Sequence, residues 1–364
     1  MATHYSATAL GPLFSAAFAQ TPIPGKTRVD GDNRVNPSRI IDMASAYWSS
    51  CVLFAASDAG IFDFLAKNGP SASEAVAQGL DLDPRGAELL LNACVAVELL
   101  QKDGDRFANT PETGLFLVSG SPADLTRAIR YNRDVYAAWG KLGQLAQTGK
   151  PVEAPALHLG EDAERTRTFV LSMHGRAMAI GRAAVPMLDL AGVRQLFDAG
   201  GGPGTYSVLI AQANPEVTCQ VMDLPGVTAV ADELIKAQGM SSRVKTIPGD
   251  YHSSDFPQGN DVVLFFGVLH QESPESIQDL FARAYASLNP GGSVYVMDMM
   301  TDASHTQPPF SALFAVNMAL TTESGWVFSD EELKGWLTGA GFKDFSVTPL
   351  PPPMPHWMAR AKKA

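Results

Sequence analysis

Cysteine is scarce in this chain. Its 364 residues include three, Cys51, Cys94 and Cys219. They lie far apart and lack the paired spacing of metal ligands. A disulfide scaffold and a zinc site are therefore excluded, and three buried reduced thiols are expected. Positive charge is also short, with 27 Lys and Arg against 38 Asp and Glu, for a net charge of −11. That balance argues against a broad nucleic-acid or anionic-membrane surface. No apolar run approaches the ~20 residues needed to span a bilayer. The mildly apolar stretch from Ala9 to Gln20 ends in Ala17-Phe-Ala19, which has the small-x-small look of a signal cleavage site. No Lys or Arg precedes it and Pro12 interrupts it, so residues 1–37 read instead as an N-terminal arm and linker. There is no internal repeat. What remains is a chain 46% apolar and 18% charged, long enough for two ordinary domains.

Glycine, in contrast, is concentrated at one place. After the apolar run Gln195-Leu-Phe-Asp198 come Gly200, Gly201, Gly202 and Gly204, and then the helical stretch Ser207 to Gln212. Strand, glycine turn and helix N-terminus make a corner where backbone can approach a nucleotide. The next run, Val217 to Asp223, reads as a strand ending in an acid at the distance suited to two ribose hydroxyls. A third strand leads to Asp250-Tyr251, an acid and an aromatic that suit an adenine pocket. A fourth, Asp261 to Phe266, runs into Gly267-Val-Leu-His270. Leu288-Asn-Pro-Gly-Gly292 then precedes a fifth strand, Ser293 to Asp298. A nicotinamide dehydrogenase is the competing reading, but it would prefer GxGxxG spacing to contiguous glycines.

The first third is mainly helical. Ile40, Ile41, Ala44, Trp48, Val52, Leu53 and Ala56 recur at helix spacing. Ser71 and Glu74 have capping-box spacing. A helix is expected from about Pro84 to Leu100, followed by a hairpin over Gln101 to Phe107. Helices and then a hairpin form a winged-helix pattern, which raises the possibility of a DNA-binding regulator. The candidate recognition helix carries only Arg85 early and is otherwise apolar or acidic, so it lacks the groups that grip phosphates and read bases. Burial against a second subunit fits it better. Later, a helix is expected to be capped by Ser329 with Glu332, and strands near Asp344 to Thr348 and His356 to Ala361 would complete a seven-stranded mixed sheet.

The segments DAGGGPG, VMDLPGV, GDYHSSDFP, VLH and LNPGGSVYVMD, in this order, resemble the class I methyltransferases that use S-adenosylmethionine (SAM). More closely, residues 38 to 364 resemble the two-domain small-molecule O-methyltransferases, the caffeic acid and hydroxyindole type with bacterial tailoring members. The resemblance implies an α/β fold: a Rossmann-like, seven-stranded SAM domain over 191–364, a winged-helix-like dimerisation domain over 38–120, and connecting helices over 121–190. It implies SAM as cofactor, no metal, a cytoplasmic homodimer and a small-molecule acceptor, with neither nucleic acid nor membrane as partner. Asp198 would be among the cofactor contacts, Gly200 and Gly202 would hold the methionine end, and Asp223 the ribose. Leu224, Asp250, Tyr251 and Phe265 or Phe266 would meet the adenine. His270 would be the general base, with Asp298 holding its ring. Tyr136, Trp139, Met173, His174 and Asn317 would line the acceptor pocket.

Two departures bear on the chemistry. The family usually reads His-Asp-Trp where this chain has His270-Gln271-Glu272. Many plant members orient the histidine with two glutamates, and here those places hold Asp298 and Val327. S-methylation of a small sulfur-containing acid and metal-assisted C-methylation of a 2-oxo acid are thus the alternatives to O-methylation. A SAM-binding regulator is the non-enzymatic alternative. Arg130, Arg133, Arg176 and Arg182 are candidates to clamp a substrate carboxylate, although solvated helix faces suit most of them. His252 lines the cofactor entrance in this reading. His4, His158, His305 and His356 read as loop or terminal residues.

Overall fold

The computed structural model describes residues 36–153 and 162–364. Of the expected features, the N-terminal arm to residue 35, with His4, and the loop with His158 lie outside the described residues. The chain forms two compact units, one ending at Asp134 and the other running from Val135 to Ala364. The segment expected to connect the domains is divided between them.

The first unit opens with α1 (Ser38–Ser45) and α2 (Tyr47–Asp58), followed by α3 (Ile61–Asn68), β1 (Ser71–Ala72), α4 (Ser73–Leu80) and α5 (Pro84–Ala96). The hairpin β2 (Leu100–Asp103) and β3 (Arg106–Asn109) pairs with β1 into a three-stranded sheet ordered β1-β3-β2. Helices α6 (Pro111–Phe116) and α7 (Thr126–Asp134) close the unit. Ile61, Phe62, Leu65, Leu91 and Phe107 form its core. The expected cap at Ser71 is not formed. Ser71 sits in β1 and donates its hydroxyl to the Gly69 carbonyl at 2.9 Å, and α4 starts after Ala72 with no side-chain cap. Local pairing with β3 has taken the residue that the capping pattern needed.

Ile40, Ile41, Met43, Tyr47 and Trp48 are all exposed on α1 and α2. Within the span Ser38–Asp58 an 18-residue window reaches a mean hydropathy of 1.2, which by length and composition is enough to cross a membrane. Charged Arg39 and Asp42 interrupt the stretch, so it is not a continuous apolar run.

The second unit begins with α8 (Tyr136–Trp139), α9 (Leu142–Thr148) and the long α10 (Ala163–Ala184). Its sheet holds β4 (Gln195–Ala199), β5 (Thr218–Asp223), β6 (Val244–Pro248), β7 (Asn260–Phe266), β8 (Leu288–Asp298), β9 (Lys343–Pro349) and β10 (Trp357–Lys362). The spatial order is β6-β5-β4-β7-β8-β10-β9. The first five strands are parallel and β10 runs antiparallel to both neighbours, giving the expected mixed sheet. Helices α11 (Thr205–Ala213), α12 (Pro225–Ala237), α13 (Pro274–Ser287), α14 (Pro309–Thr321) and α15 (Asp330–Gly339) complete the unit. Ser329 and Glu332 cap α15 reciprocally, as their spacing predicts.

The sheet is buried on both faces. Phe197, Phe265 and Phe281 pack on one side, and Leu196, Leu264 and Tyr295 on the other. Strand order reverses at β4, which has β5 on one side and β7 on the other. In open parallel sheets the crevice at such a reversal, beyond the strand carboxyl ends, is where ligands sit. The glycine turn lies at that point.

Candidate active site

The turn after β4 needs its glycines for two different reasons. Gly200, Gly202 and Gly204 have φ of 68°, 54° and 69°, which side chains rarely adopt. Gly200 and Gly201 are also crowded. A Cβ at Gly200 would come within 2.7 Å of Val268 and 3.2 Å of the Tyr251 ring, and one at Gly201 within 2.7 Å of Asp198 and Val221. Around Gly202 a Cβ would meet nothing within 4 Å. The turn is thus wedged from behind and open in front.

Asp223 closes one side of the opening. Its Oδ2 accepts the Gly202 N–H at 2.8 Å and its Oδ1 accepts the Leu224 N–H at 2.8 Å. The carboxylate remains half-exposed, and each oxygen keeps a lone pair for a further donor. Burial pushes its pKa upward against those two bonds. Hydroxyl donors are what such a carboxylate lacks. These residues therefore fit an adenosyl ribose. Leu224 is partly buried against Val170, Val227 and Val230.

Asp198 corrects the sequence reading. It was expected among the cofactor contacts but is fully buried beneath the turn. Its Oδ2 accepts the Ser207 hydroxyl at 2.7 Å, which ties β4 to α11. Phe265 is corrected as well. It is fully buried between Phe256 and Phe281, so it cannot cover an adenine. Phe266 points to the opposite face of the sheet and packs edge-on against Tyr206, with ring centres 5.3 Å apart. Strand alternation separates the two rings, and neither faces the opening.

Asp250 and Tyr251 lie on the loop after β6, facing the turn. Asp250 Oδ1 accepts the His252 N–H at 2.9 Å and contacts His252 Nδ1 at 2.8 Å. Burial raises the Asp250 pKa, but the bonds from His252 outweigh it and the net shift is downward. Tyr251 donates its hydroxyl to Glu272 at 2.7 Å. Glu272 is one residue that sequence reasoning passed over. It was noted only as a departure from a tryptophan, whereas it is buried and collects several donors.

His270 follows β7 in a single 3-10 turn, Leu269–Gln271. Its Nδ1 lies 2.7 Å from Asp298 Oδ1, and its backbone N–H donates to Asp298 Oδ2 at 3.2 Å. Asp298 also accepts the Met299 N–H at 2.8 Å. With donors at both oxygens, Asp298 is the acceptor and His270 Nδ1 the donor, so Nε2 of the neutral ring carries the lone pair. Phe314 stands edge-on to the imidazole, with ring centres 5.2 Å apart. Val327 is a buried apolar residue and supplies no second carboxylate.

The acceptor candidates fall into two groups. Trp139 Nε1 donates to Asn317 Oδ1 at 2.9 Å, across 178 positions of sequence. Asn317 is one turn beyond Phe314, the ring that stands against the imidazole, on the same helix α14. Tyr136, one turn before Trp139, is exposed. Met173 and His174 are half-buried on α10. His174 Nδ1 lies 2.7 Å from the Thr205 hydroxyl, which places it at the start of α11, on the glycine turn.

The remaining cations and histidines are mostly structural. Arg133 pairs with Asp58 and with Asp134, Arg130 lines a cleft of about 520 Å³ within the first unit, and Arg182 is exposed. Arg130 and Arg133 are the two candidate carboxylate clamps that line that cleft, and none of the residues expected to meet the cofactor or serve as base does. Arg176 is half-buried and lies within electrostatic reach of Tyr206 and His356. His356 is not the loose terminal residue expected. It is buried at the start of β10, next to Trp357, which pairs with Asp298. Burial pushes it down to about 4, so it stays neutral, and its Nδ1 has no hydrogen-bond partner. No spacing pattern in the sequence marks it.

Comparison with known proteins matches this geometry. Residues 151–343 match the O-methyltransferase domain and residues 41–119 the O-methyltransferase dimerisation domain. The chain belongs to the O-methyltransferase family. It is 30% identical over 332 residues to the 3-hydroxy-5-methyl-1-naphthoate 3-O-methyltransferase of Streptomyces sahachiroi, covering 90% of this chain and 96% of that one. It is also 30% identical to the N,N-dimethyltransferase OxyT of Streptomyces rimosus, covering 84% of this chain and 90% of that one. The structure of human N-acetylserotonin methyltransferase in complex with SAM superposes with a TM-score of 0.80 at 25% identity, covering 92% of this chain and 99% of that one. The protein is thus a SAM-dependent methyltransferase with a dimerisation domain.

Asp198 provides a pH test of this corner. Burial, with Ser207 opposing and Asp223 adding to it, raises the carboxyl from 3.8 to about 7. An acid with a raised folded-state pKa binds its proton more tightly in the folded protein. Stability then falls as pH climbs from about 4 to 7, by up to ~1.4 kcal/mol per unit, and the effect is complete above 7. Asp198→Asn is expected to flatten that slope in denaturant unfolding between pH 5 and 7.5. Parallel slopes in the two proteins would assign the titration to another group.

Proposed function

We propose that this protein methylates a hydroxyl of a small-molecule acceptor, with His270 as general base. The observation carrying this reading is the 2.7 Å contact between His270 Nδ1 and Asp298. It fixes the tautomer that leaves Nε2 able to take a proton. Bound SAM supplies a methyl group already activated on a sulfonium. In this reading Gly200 and Gly202 leave backbone open to the methionine end, while Asp223 accepts from the ribose hydroxyls. Leu224, Asp250 and Tyr251 border the adenine. Trp139, Asn317 and Phe314 orient the acceptor, with Met173 and His174 beside them, so that its hydroxyl meets Nε2. Asp298 then stabilises the protonated ring. Positioning and proton removal are what the protein must add to such a donor, and a placed base contributes ~10²–10⁴-fold.

The acceptor class is supported by relatives. The Streptomyces sahachiroi protein is named for a hydroxylated naphthoate, which makes a phenolic hydroxyl on a fused aromatic ring a fitting first substrate to try. OxyT is named for methylation at nitrogen, and a base of this kind serves an amine as well. Homodimer formation through α1 and α2 is part of the same proposal. Their exposed Ile40, Ile41, Tyr47 and Trp48 lie in or beside residues 41–119, the match to the dimerisation domain. We also assign the protein to the cytoplasm, where its cofactor is made.

Three outcomes are expected. Asp223→Ala should weaken SAM binding by roughly a hundredfold, the effect of losing two charge-assisted bonds; near-normal affinity in calorimetry would refute the ribose assignment. His270→Ala should leave SAM affinity intact and lower kcat by roughly 10²–10⁴, measured by transfer of labelled methyl to a panel of phenols, amines and thioethers. Unchanged turnover would mean that the acceptor needs no base. Trp48→Glu should convert dimer to monomer in light scattering, and a persistent dimer would move the interface elsewhere.

A further inference from the structure

We propose that Glu272 is a positioning residue that fastens the adenine-side loop to the turn carrying His270. One carboxylate would then set both the seat of the cofactor and the aim of the base. The inference rests on the functional reading above and goes beyond it, because Glu272 touches neither cofactor nor acceptor in that reading.

Three donors converge on this side chain. Tyr251 Oη donates to Oε1 at 2.7 Å, and Ser276 Oγ donates to Oε2 at 2.6 Å. His252 Nε2 lies 2.8 Å from Oε2. The Glu272 side chain is only 7% exposed. A buried carboxylate offers about four acceptor sites and no donor, so it alone among side chains of this length meets three donors at once. A glutamine would turn an N–H₂ toward at least one of them.

The partners stand on different elements. Tyr251 and His252 belong to the loop after β6, and the Tyr251 ring closes on Gly200 of the glycine turn. Ser276 is in the first turn of α13. Glu272 itself follows the 3-10 turn directly. That turn is held from a third side by Trp326, whose Nε1 donates to the Glu272 carbonyl at 3.0 Å and whose N–H donates to the His270 carbonyl at 2.9 Å. Gln271 adds a second tie, from its amide to Tyr251 Oη at 3.3 Å. At the far end, Arg283 donates to the carbonyls of Tyr251, at 2.6 Å, and Ser254. Any displacement of Tyr251 by a ligand at the glycine turn is therefore felt by the residue two positions after His270. His252 strengthens the tie. Burial lowers its pKa, but the bonds to Glu272 and Asp250 outweigh burial and the net shift is upward.

Hydrogen exchange on the full-length dimer tests this, with S-adenosylhomocysteine as the probe. In the wild type the probe should slow exchange both at 249–254 and at 267–272. Absence of protection at 267–272 would overturn the proposal. Glu272→Gln should bind the probe roughly tenfold more weakly, the loss of one charge-assisted bond. At saturation it should keep protection at 249–254 and lose it at 267–272, with kcat reduced. Unchanged affinity, or protection still reaching 267–272, would overturn it. Should Glu272→Gln fail to fold, Tyr251→Phe keeps the ring and removes the bonds to Glu272 and from Gln271 while leaving Glu272 its Ser276 and His252 partners, so it should shift both readouts the same way, by less. Asp223→Ala separates the two readings. Loss of protection at both loops shows that the signal starts at the glycine turn, whereas persistent protection would overturn the cofactor assignment itself and this proposal with it.

Discussion

The site depends on one steric constraint: the chain leaving β4 has no room for side chains. Val268 and Tyr251 press on Gly200, and Asp198 and Val221 press on Gly201. Because the turn is this thin, three strand ends draw together around it. Asp223 of β5 reaches the Gly202 N–H, the loop after β6 lays Tyr251 on the turn, and the segment after β7 passes close enough for Val268 to touch it. His270, two residues beyond Val268, is carried to the same edge of the sheet. Bulk at Gly200 would press on Val268 and Tyr251 at once.

Electrostatics at this edge follows from burial. Asp198, Asp223 and Asp298 stand at the ends of β4, β5 and β8 and Glu272 just past the turn after β7, in a chain with an acidic surplus. Each is occupied by donors. Asp198 takes a hydroxyl, Asp223 two backbone N–H groups, Glu272 a phenol, a hydroxyl and an imidazole, and Asp298 an imidazole and two backbone N–H groups. Hydrogen bonds to charged acceptors are worth more than neutral ones, and an unpaired buried charge is costly. Of these four, Asp223 alone combines exposure with spare acceptor capacity, which is why a ligand with hydroxyl donors suits that position.

Much of this was legible in the sequence because it is written in local patterns. Contiguous glycines after an apolar run, an acid closing the next strand, and a histidine just past another strand each fall within a few residues. The parallel sheet, its antiparallel end and the cap at Ser329 followed from such signals. The errors came where neighbours far apart in sequence decide. Ser71 lost its capping role to pairing with β3. Asp198 and Phe265 were given to the cofactor because a strand end looks open in one dimension, and the helices and strands packed over them are not visible there. Glu272 and His356 gave no signal, since their partners lie in other loops and strands. The apolar content of α1 and α2 was diluted in the sequence by Arg39 and Asp42.

The long helix α10 has a consequence for how such an enzyme changes its substrates. A Cβ at Gly181 would fall 2.5 Å from Leu209 and 3.2 Å from Tyr206, and His174 is joined to Thr205. With backbone seated directly on α11 at one point and a side-chain bond at another, α10 can neither roll nor slide without disturbing the glycine turn. In the proposed reading, tolerance for a bulkier or differently shaped acceptor then falls to α8 and α14, which are joined by the Trp139–Asn317 bond. Divergence in acceptor range should accumulate on those two short helices while α10 stays fixed, leaving the methyl-donor half of the enzyme unchanged as its clientele turns over.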